Sequence, residues 1–408
     1  MIKHLILACF FLLLFTFLDV AGVFSATGRI YGKIYTEDGD VYEGRITWDK
    51  NEGIWEDILD CTKSYRTPHY EGYEKEESIE IFGLRISWSK SGEYLRSSMG
   101  IKFGHIQSIR PRSKHRATIY LKSGDRVKVK GYGTDIGSSV RRIVVEDQDY
   151  GKVKLEWSDL DKVIFETEPE RLPKDNKIRL FGKLVTRDGD EFLGFITWDH
   201  DEIFSTDILD GEEDGRDWEI PFKNIEKIKR RSRNSATVFL KNGEEIDLSG
   251  TNDVNSSNRG ISVEDFNFGR VEVEWGDFGE VEFLKSGEKY LKSYDEYDGG
   301  KPLYGTVYTE DGDFYTGFIT WDDDEKYTWE MLDGDYNDLE VMVEFGQIKS
   351  IKKRSFWGAE ITLKNGNTFV LENSNDVSDE NKGIYIITDG KEYRIDWEDF
   401  EKVEFKEK

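Results

Sequence analysis

One long signature occurs three times along the chain, and it limits the possible folds more than any other feature. Tyr31-Gly32-Lys33, Asp38-Gly39-Asp40, Gly44 and Ile46-Thr47-Trp48-Asp49 return as Phe181-Gly182-Lys183, Asp188-Gly189-Asp190, Gly194 and Ile196-Thr197-Trp198-Asp199. The third copy reads Tyr304-Gly305, Asp311-Gly312-Asp313, Gly317 and Ile319-Thr320-Trp321-Asp322. A Leu-Asp pair follows at one spacing in all copies, ending at Asp60, Asp210 and Asp333. Later in each copy Leu121-Lys122, Leu240-Lys241 and Leu363-Lys364 precede a Gly turn. The copies then close with Trp157 to Phe165, Trp275 to Phe283 and Trp397 to Phe405. Self-similarity of this kind means that one supersecondary unit has been multiplied.

The residues inside each copy predict strands. Lys183-Leu184-Val185-Thr186 and Phe192 to Trp198 flank an Asp-Gly pair, whose glycine suits the positive φ of a tight hairpin. Val271 to Trp275 alternates apolar and polar, which puts one face inward. No window of helical length keeps an apolar face at i, i+3 and i+4. The first copy carries an insertion within about 61–102, where Ile79-Glu80-Ile81 and Leu84 to Trp88 suggest an added hairpin.

Each half-copy, with its Leu240-Lys241-Asn242-Gly243 turn, Gly260-Ile261 and Phe278-x-x-Val281-x-Phe283 ending, resembles Sm-like small β-barrels. The resemblance is one of fold and implies no function. The expected architecture is therefore all-β: repeat domains at 29–165, 178–284 and 301–408, each of two packed small barrels. Six half-units arranged as propeller blades are the alternative. Segments 166–177, with Pro169 and Pro173, and 285–300, ending in Gly299-Gly300, read as polar linkers.

The N-terminus leads to the expectation of a protein outside the cytoplasm. Lys3 precedes an apolar run from Leu5 to Leu18, and Val23 and Ser25 fit a cut before Ala26, so 1–25 reads as a cleaved signal peptide. The alternative is an uncleaved anchor, but the run is short of the about 20 residues that span a bilayer. Cys9 lies inside that run, which leaves the mature chain with Cys61 alone and no intramolecular disulfide. The expected location is secreted or periplasmic, with no transmembrane span in the mature chain.

Charge is strongly uneven. The whole chain has 57 Lys plus Arg against 83 Asp plus Glu, a poor composition for binding nucleic acid, which needs clustered cations. Yet residues 29–165 carry 24 basic and 23 acidic side chains, whereas 178–284 carry 13 and 25 and 301–408 carry 13 and 26. A basic cluster recurs mid-copy, at Lys227, Lys229, Arg230, Arg231 and Arg233 and at Lys349, Lys352, Lys353 and Arg354. It reads either as an anion site or as compensation for nearby acidic turns, and its recurrence favours compensation.

Three features are candidates for chemistry. The Asp-Gly-Asp turns could offer oxygens to calcium, but they lack the spaced ligands of a calcium loop and serve a hairpin equally well. The recurring tryptophans in the second and closing strands read as core fillers, leaving Trp55, Trp88, Trp218, Trp329 and Trp357 for surface contacts. The most site-like segment is the loop with Asn252, Asp253, Asn255 and Asn258, matched by Asn375, Asp376 and Asn381. Its Asp and Asn oxygens suit a cation or a polar ligand, or else bond their own backbone in turns. The first copy keeps Thr134-Asp135 but is one residue shorter and has Arg141-Arg142 there, which predicts loss of any such site.

No HExxH, G-x-S-x-G, P-loop or dinucleotide fingerprint occurs, and no catalytic residue is assigned. The reading is an exported, non-enzymatic repeat protein that binds a protein or glycan partner, or plays a structural role, at the cell envelope or beyond. Two alternatives stand beside it: a polysaccharide-acting hydrolase with a carboxylate pair, and a calcium-stabilised structural protein. No cofactor is expected apart from calcium as the candidate ion.

Overall fold

The computed structural model describes residues 28–63, 79–81, 84–86, 98–131, 135–170, 172–173, 175–285 and 287–408. The expected signal segment 1–25, Cys9 and Trp88 lie outside them. The described chain is all-β, with one antiparallel sheet of ten strands and another of twenty. Within the insertion, Ile79–Ile81 pairs antiparallel with Leu84–Ile86.

All three copies fold to one strand order. In the middle copy the hydrogen-bonded sequence is Gly269–Val273, Ile261–Asp265, Glu191–Thr197, Phe181–Thr186, Phe278–Phe283, Ile225–Ser232, Ser235–Leu240, Glu245–Ser249, Ile208–Glu213 and Arg216–Pro221. The first copy runs in the same order from Gly151–Leu155 to Ser98–Lys102, and the third from Lys391–Ile395 to Leu339–Glu344. The expectation of two closed barrels per copy is thereby corrected. The closing strand Phe278–Phe283 bonds Phe181–Thr186 on one edge and Ile225–Ser232 on the other, so both halves belong to one open sheet. That shared strand also rules out half-copies as separate propeller blades.

The alternation read from the sequence builds the core. Trp48, Trp198 and Trp321 are fully buried, and Trp157, Trp275 and Trp397 nearly so. Trp198 meets Trp275, Phe222 and Phe278 with ring centroids 5.2–6.4 Å apart, in the tilted and edge-on arrangements that aromatic quadrupoles favour. Trp321 repeats this with Trp397, Phe345 and Phe400. Glycine is required where the second strand of each copy passes beneath its neighbour. A Cβ at Gly44, Gly194 or Gly317 would lie 2.0 Å from the carbonyl oxygen of Glu146, Glu264 or Ile387.

The copies also share structure with one another. Strand Gly269–Val273 pairs with Leu339–Glu344 through Arg270 to Met342 and Val271 to Val341, and one hydrophobic core spans the second and third copies. The 285–300 segment is built into the first copy: it forms short 3-10 turns at Gly287–Tyr290 and Tyr294–Glu296, and Tyr294 and Tyr297 are buried in that core. Trp55 and Trp329 are buried there too, so they are not surface contacts. Charged pairs close the remaining junctions. Arg179 meets Asp57 at 3.1 Å, Arg270 meets Asp60 at 3.2 Å, and Lys102 meets Glu344 at 2.9 Å. Burial alone would raise Glu344, yet Lys102 and His105 hold it far below the usual carboxylate range.

Candidate functional site

The middle and third copies each place a carboxylate cluster behind their recurring tryptophan, on a turn that all three copies share. The chain leaves the second strand at Trp-Asp and turns back through two consecutive residues of positive φ: Asp49 and Lys50, Asp199 and His200, Asp322 and Asp323. Aspartate tolerates this backbone better than most residues. The turn is closed by paired backbone bonds between Trp198 and Glu202, and equally between Trp48 and Glu52 and between Trp321 and Glu325. Its glutamate thus faces the same interior as its aspartate.

The Asn-rich loop completes the cluster. Ligand atoms of Asp199, Glu202 and Asp253 lie within 4.8 Å of one another, as do those of Asp322, Glu325 and Asp376. Asp253 and Asp376 each tie three segments together. Their carbonyls accept from Trp198 Nε1 at 3.0 Å and Trp321 Nε1 at 2.9 Å. Their carboxylates accept from the Asp210 amide at 2.7 Å and the Asp333 amide at 2.8 Å.

The predicted loop residues divide by role. Asn252 and Asn375 donate from Nδ2 to Asp199 and Asp322. Asn255, Asn258 and Asn381 accept from the amides of Ser257, Gly260 and Gly383, which is local turn chemistry. Sequence reading missed the other members, Asp199, Glu202, Asp322 and Glu325. Their signal was present as Trp-Asp-x-x-Glu in all three copies.

The first copy keeps the framework despite its shorter loop. Asp135 accepts from Trp48 Nε1 at 2.9 Å and from the Asp60 amide at 2.6 Å. Arg141 occupies the position of Arg259 and Lys382, and each of these cations pairs with the turn aspartate of its own copy.

Electrostatics separates the clusters. Burial, reinforced by Asp253, Asp201 and Asp199, pushes Glu202 up to about 9, so it is protonated at neutral pH. Burial likewise lifts Asp253 to about 6. Burial raises Glu325 far above the usual range even though Lys63 of the first copy lies 3.4 Å away. Glu52 rises for the same reason, with Asp135 and Asp49 adding to it. Three such carboxylates can share protons, or release them to a divalent cation that takes their oxygens.

These clusters seat a surface feature. In every copy the loop amide behind the cluster bonds the tip of the mid-copy hairpin: Ser138 to Lys114 O at 2.8 Å, Ser256 to Arg233 O at 2.8 Å, and Asp379 to Phe356 O at 2.7 Å. The exposed tips themselves differ, reading Lys114-His115, Arg233-Asn234 and Phe356-Trp357. Trp357 is 61% exposed, whereas Trp218 is half-buried. The recurrent basic residues beside the tips are mostly engaged within their own copy, as in Arg231 with Asp247 at 2.6 Å and Arg354 with Glu360 at 3.4 Å. No described helix is long and apolar enough to cross a membrane. No protein-family model, curated protein or solved structure matches the chain.

Proposed function

We propose that this is an exported, non-enzymatic protein, built by tandem multiplication of one antiparallel β module, that binds a protein or glycan partner at the cell envelope or outside the cell. One observation carries the reading: three hairpin tips share one seat but differ in chemistry, a cation beside a polar side chain in the first two and two aromatics in the third. A buried framework that is repeated while its exposed tip varies is the arrangement of a contact surface, because binding residues are commonly held on loops by a rigid scaffold. Phe356 and Trp357 are the strongest anchors, since exposed aromatics supply large contact area at little entropic cost.

The test has two parts. Expression of the whole chain in a secreting host should release protein beginning at Ala26. The mature protein should then bind an envelope preparation or a panel of immobilised polysaccharides, and Phe356→Ser with Trp357→Ser should abolish that binding with the melting temperature unchanged. Retention inside the cell, or binding indifferent to both substitutions, contradicts the proposal. The clusters at Asp199, Glu202 and Asp253 and at Asp322, Glu325 and Asp376 favour one second reading, a calcium-stabilised structural protein.

A further inference from the structure

The sheet of the middle copy ends on Gly269–Val273, and that edge is not left open. It pairs with the opposite terminal strand of the next copy, Leu339–Glu344, in the register Arg270 to Met342 and Val271 to Val341. Val271 and Val341 are fully buried, while Arg270 and Met342 are part-buried on the opposite face of the sheet, where Arg270 meets Asp60 of the first copy. The chain therefore contains a worked example of one copy's first edge strand adding to another copy's last edge strand.

Among the described residues four terminal strands lack a sheet partner on their outer edge: Gly151–Leu155 and Ser98–Lys102 of the first copy, the latter buried from Met99 to Lys102, Arg216–Pro221 of the middle copy and Lys391–Ile395 of the third. In the first copy Gly151–Leu155 bonds only Ile143–Asp147, and in the middle copy Arg216–Pro221 bonds only Ile208–Glu213. Among the described residues no other backbone hydrogen bond reaches either outer edge. Transferring the register of the internal contact sets Lys152 opposite Glu219, Val153 opposite Trp218 and Lys154 opposite Asp217. Both lysines and both acids are exposed, whereas Val153 and Trp218 are half-buried. The outer face would thus carry two opposite-charge pairs and the inner face an apolar pair, which is how cross-strand neighbours stabilise a sheet. The remaining first-type edge, Lys391–Ile395, fits worse, because Glu392 would face Glu219.

We propose that the edge Gly151–Leu155 of one molecule adds to the edge Arg216–Pro221 of a second copy of this chain. The contact repeats the internal pairing between molecules. It joins two different surfaces, so it is head-to-tail and propagates unless the rotation closes a ring. An open edge is a ready template for such addition. It also follows the charge asymmetry between copies, since the near-neutral first copy supplies the lysines and the acidic second copy the carboxylates.

Sedimentation velocity on the mature full chain tests this. The mass should rise with protein concentration, and added salt should weaken the association. Lys152→Glu with Lys154→Glu, and separately Asp217→Lys with Glu219→Lys, should each reduce the association constant at least about tenfold while the circular dichroism spectrum stays native. Mixing the two double variants should restore assembly, because each then meets a complementary edge. A chain that is monomeric at every concentration overturns the proposal. So does association that neither double variant weakens, or variants that fail to rescue one another.

Discussion

The middle and third copies hold the same three carboxylates in the same backbone frame, yet they offset the buried charge differently. In the middle copy Glu202 pairs with no cation among the described residues: Arg259 is taken by Asp199 at 2.5 Å and by Asp201 at 2.7 Å. A proton alone serves there. In the third copy Lys63 reaches across from the first copy to Asp324, Glu325 and Glu330, at 3.0, 3.4 and 2.7 Å. The repeat dictates where the acids sit and burial raises both glutamates, while the neighbouring copy brings a cation to the glutamate only in the third. A buried carboxylate must be either protonated or paired, because its isolated charge is too costly away from water.

The largest expected effect concerns what the two copies share. Trp198→Ala and Trp321→Ala should each cost about 3–5 kcal/mol in a denaturant titration, through the emptied volume and the orphaned carbonyls of Asp253 and Asp376. A loss much smaller in one copy than in the other would break the structural equivalence. Next comes what they do not share. Lys63→Met leaves the buried Glu330 and its neighbours without their cation and should cost about 3 kcal/mol, the low end for breaking a buried pair. Lys50→Met, at an exposed contact 3.2 Å from Asp201, should cost less than about 1 kcal/mol.

A pH series sharpens the contrast further. Glu202 is raised from its ordinary 4.5 to about 9 on folding, so the folded state holds a proton that the unfolded state has lost. Its contribution is complete below about pH 4.5 and declines as pH rises towards 9, by up to about 1.4 kcal/mol per pH unit. Asp333, lifted by burial to about 8, adds in the same direction. Glu272 acts oppositely: burial would raise it, but Arg270 and His200 bring it to about 2, so its contribution is lost only in acid. Stability should therefore peak on the acid side of neutrality. Glu202→Gln should flatten the alkaline decline in urea unfolding; an unchanged slope would place the titration elsewhere. The smallest effect is at the tip, where Phe356→Ser should shift stability by less than about 0.5 kcal/mol, as expected of an exposed site.

Much of this was legible in the sequence. The three copies, their strands and the burial of Trp48, Trp198 and Trp321 follow from repetition and period-two alternation. Closure was not legible, because a strand of a closed barrel and one shared between two halves of an open sheet have the same alternation. Only the partners of Phe278–Phe283 distinguish them. The segment 285–300 read as linker because Tyr294 and Tyr297 sit in turns without alternation, yet both fill a core formed mostly by residues over 130 positions away. In the candidate loop Asp253 stood out, whereas Glu202 did not. Its meeting with Asp253 depends on a tertiary contact across 51 residues that no local pattern encodes.

The central claim is that these clusters are internal joints held by protons and neighbouring cations, with binding left to the tips they seat. Carbon-13 NMR of the glutamate carboxyl groups, with the Glu202 signal assigned through Glu202→Gln, tests it most directly. The expected result is a Glu202 midpoint well above pH 7, near 9, that does not move when calcium is added. A midpoint in the ordinary carboxylate range, or one that falls on calcium addition, would contradict it and make the cluster a cation site.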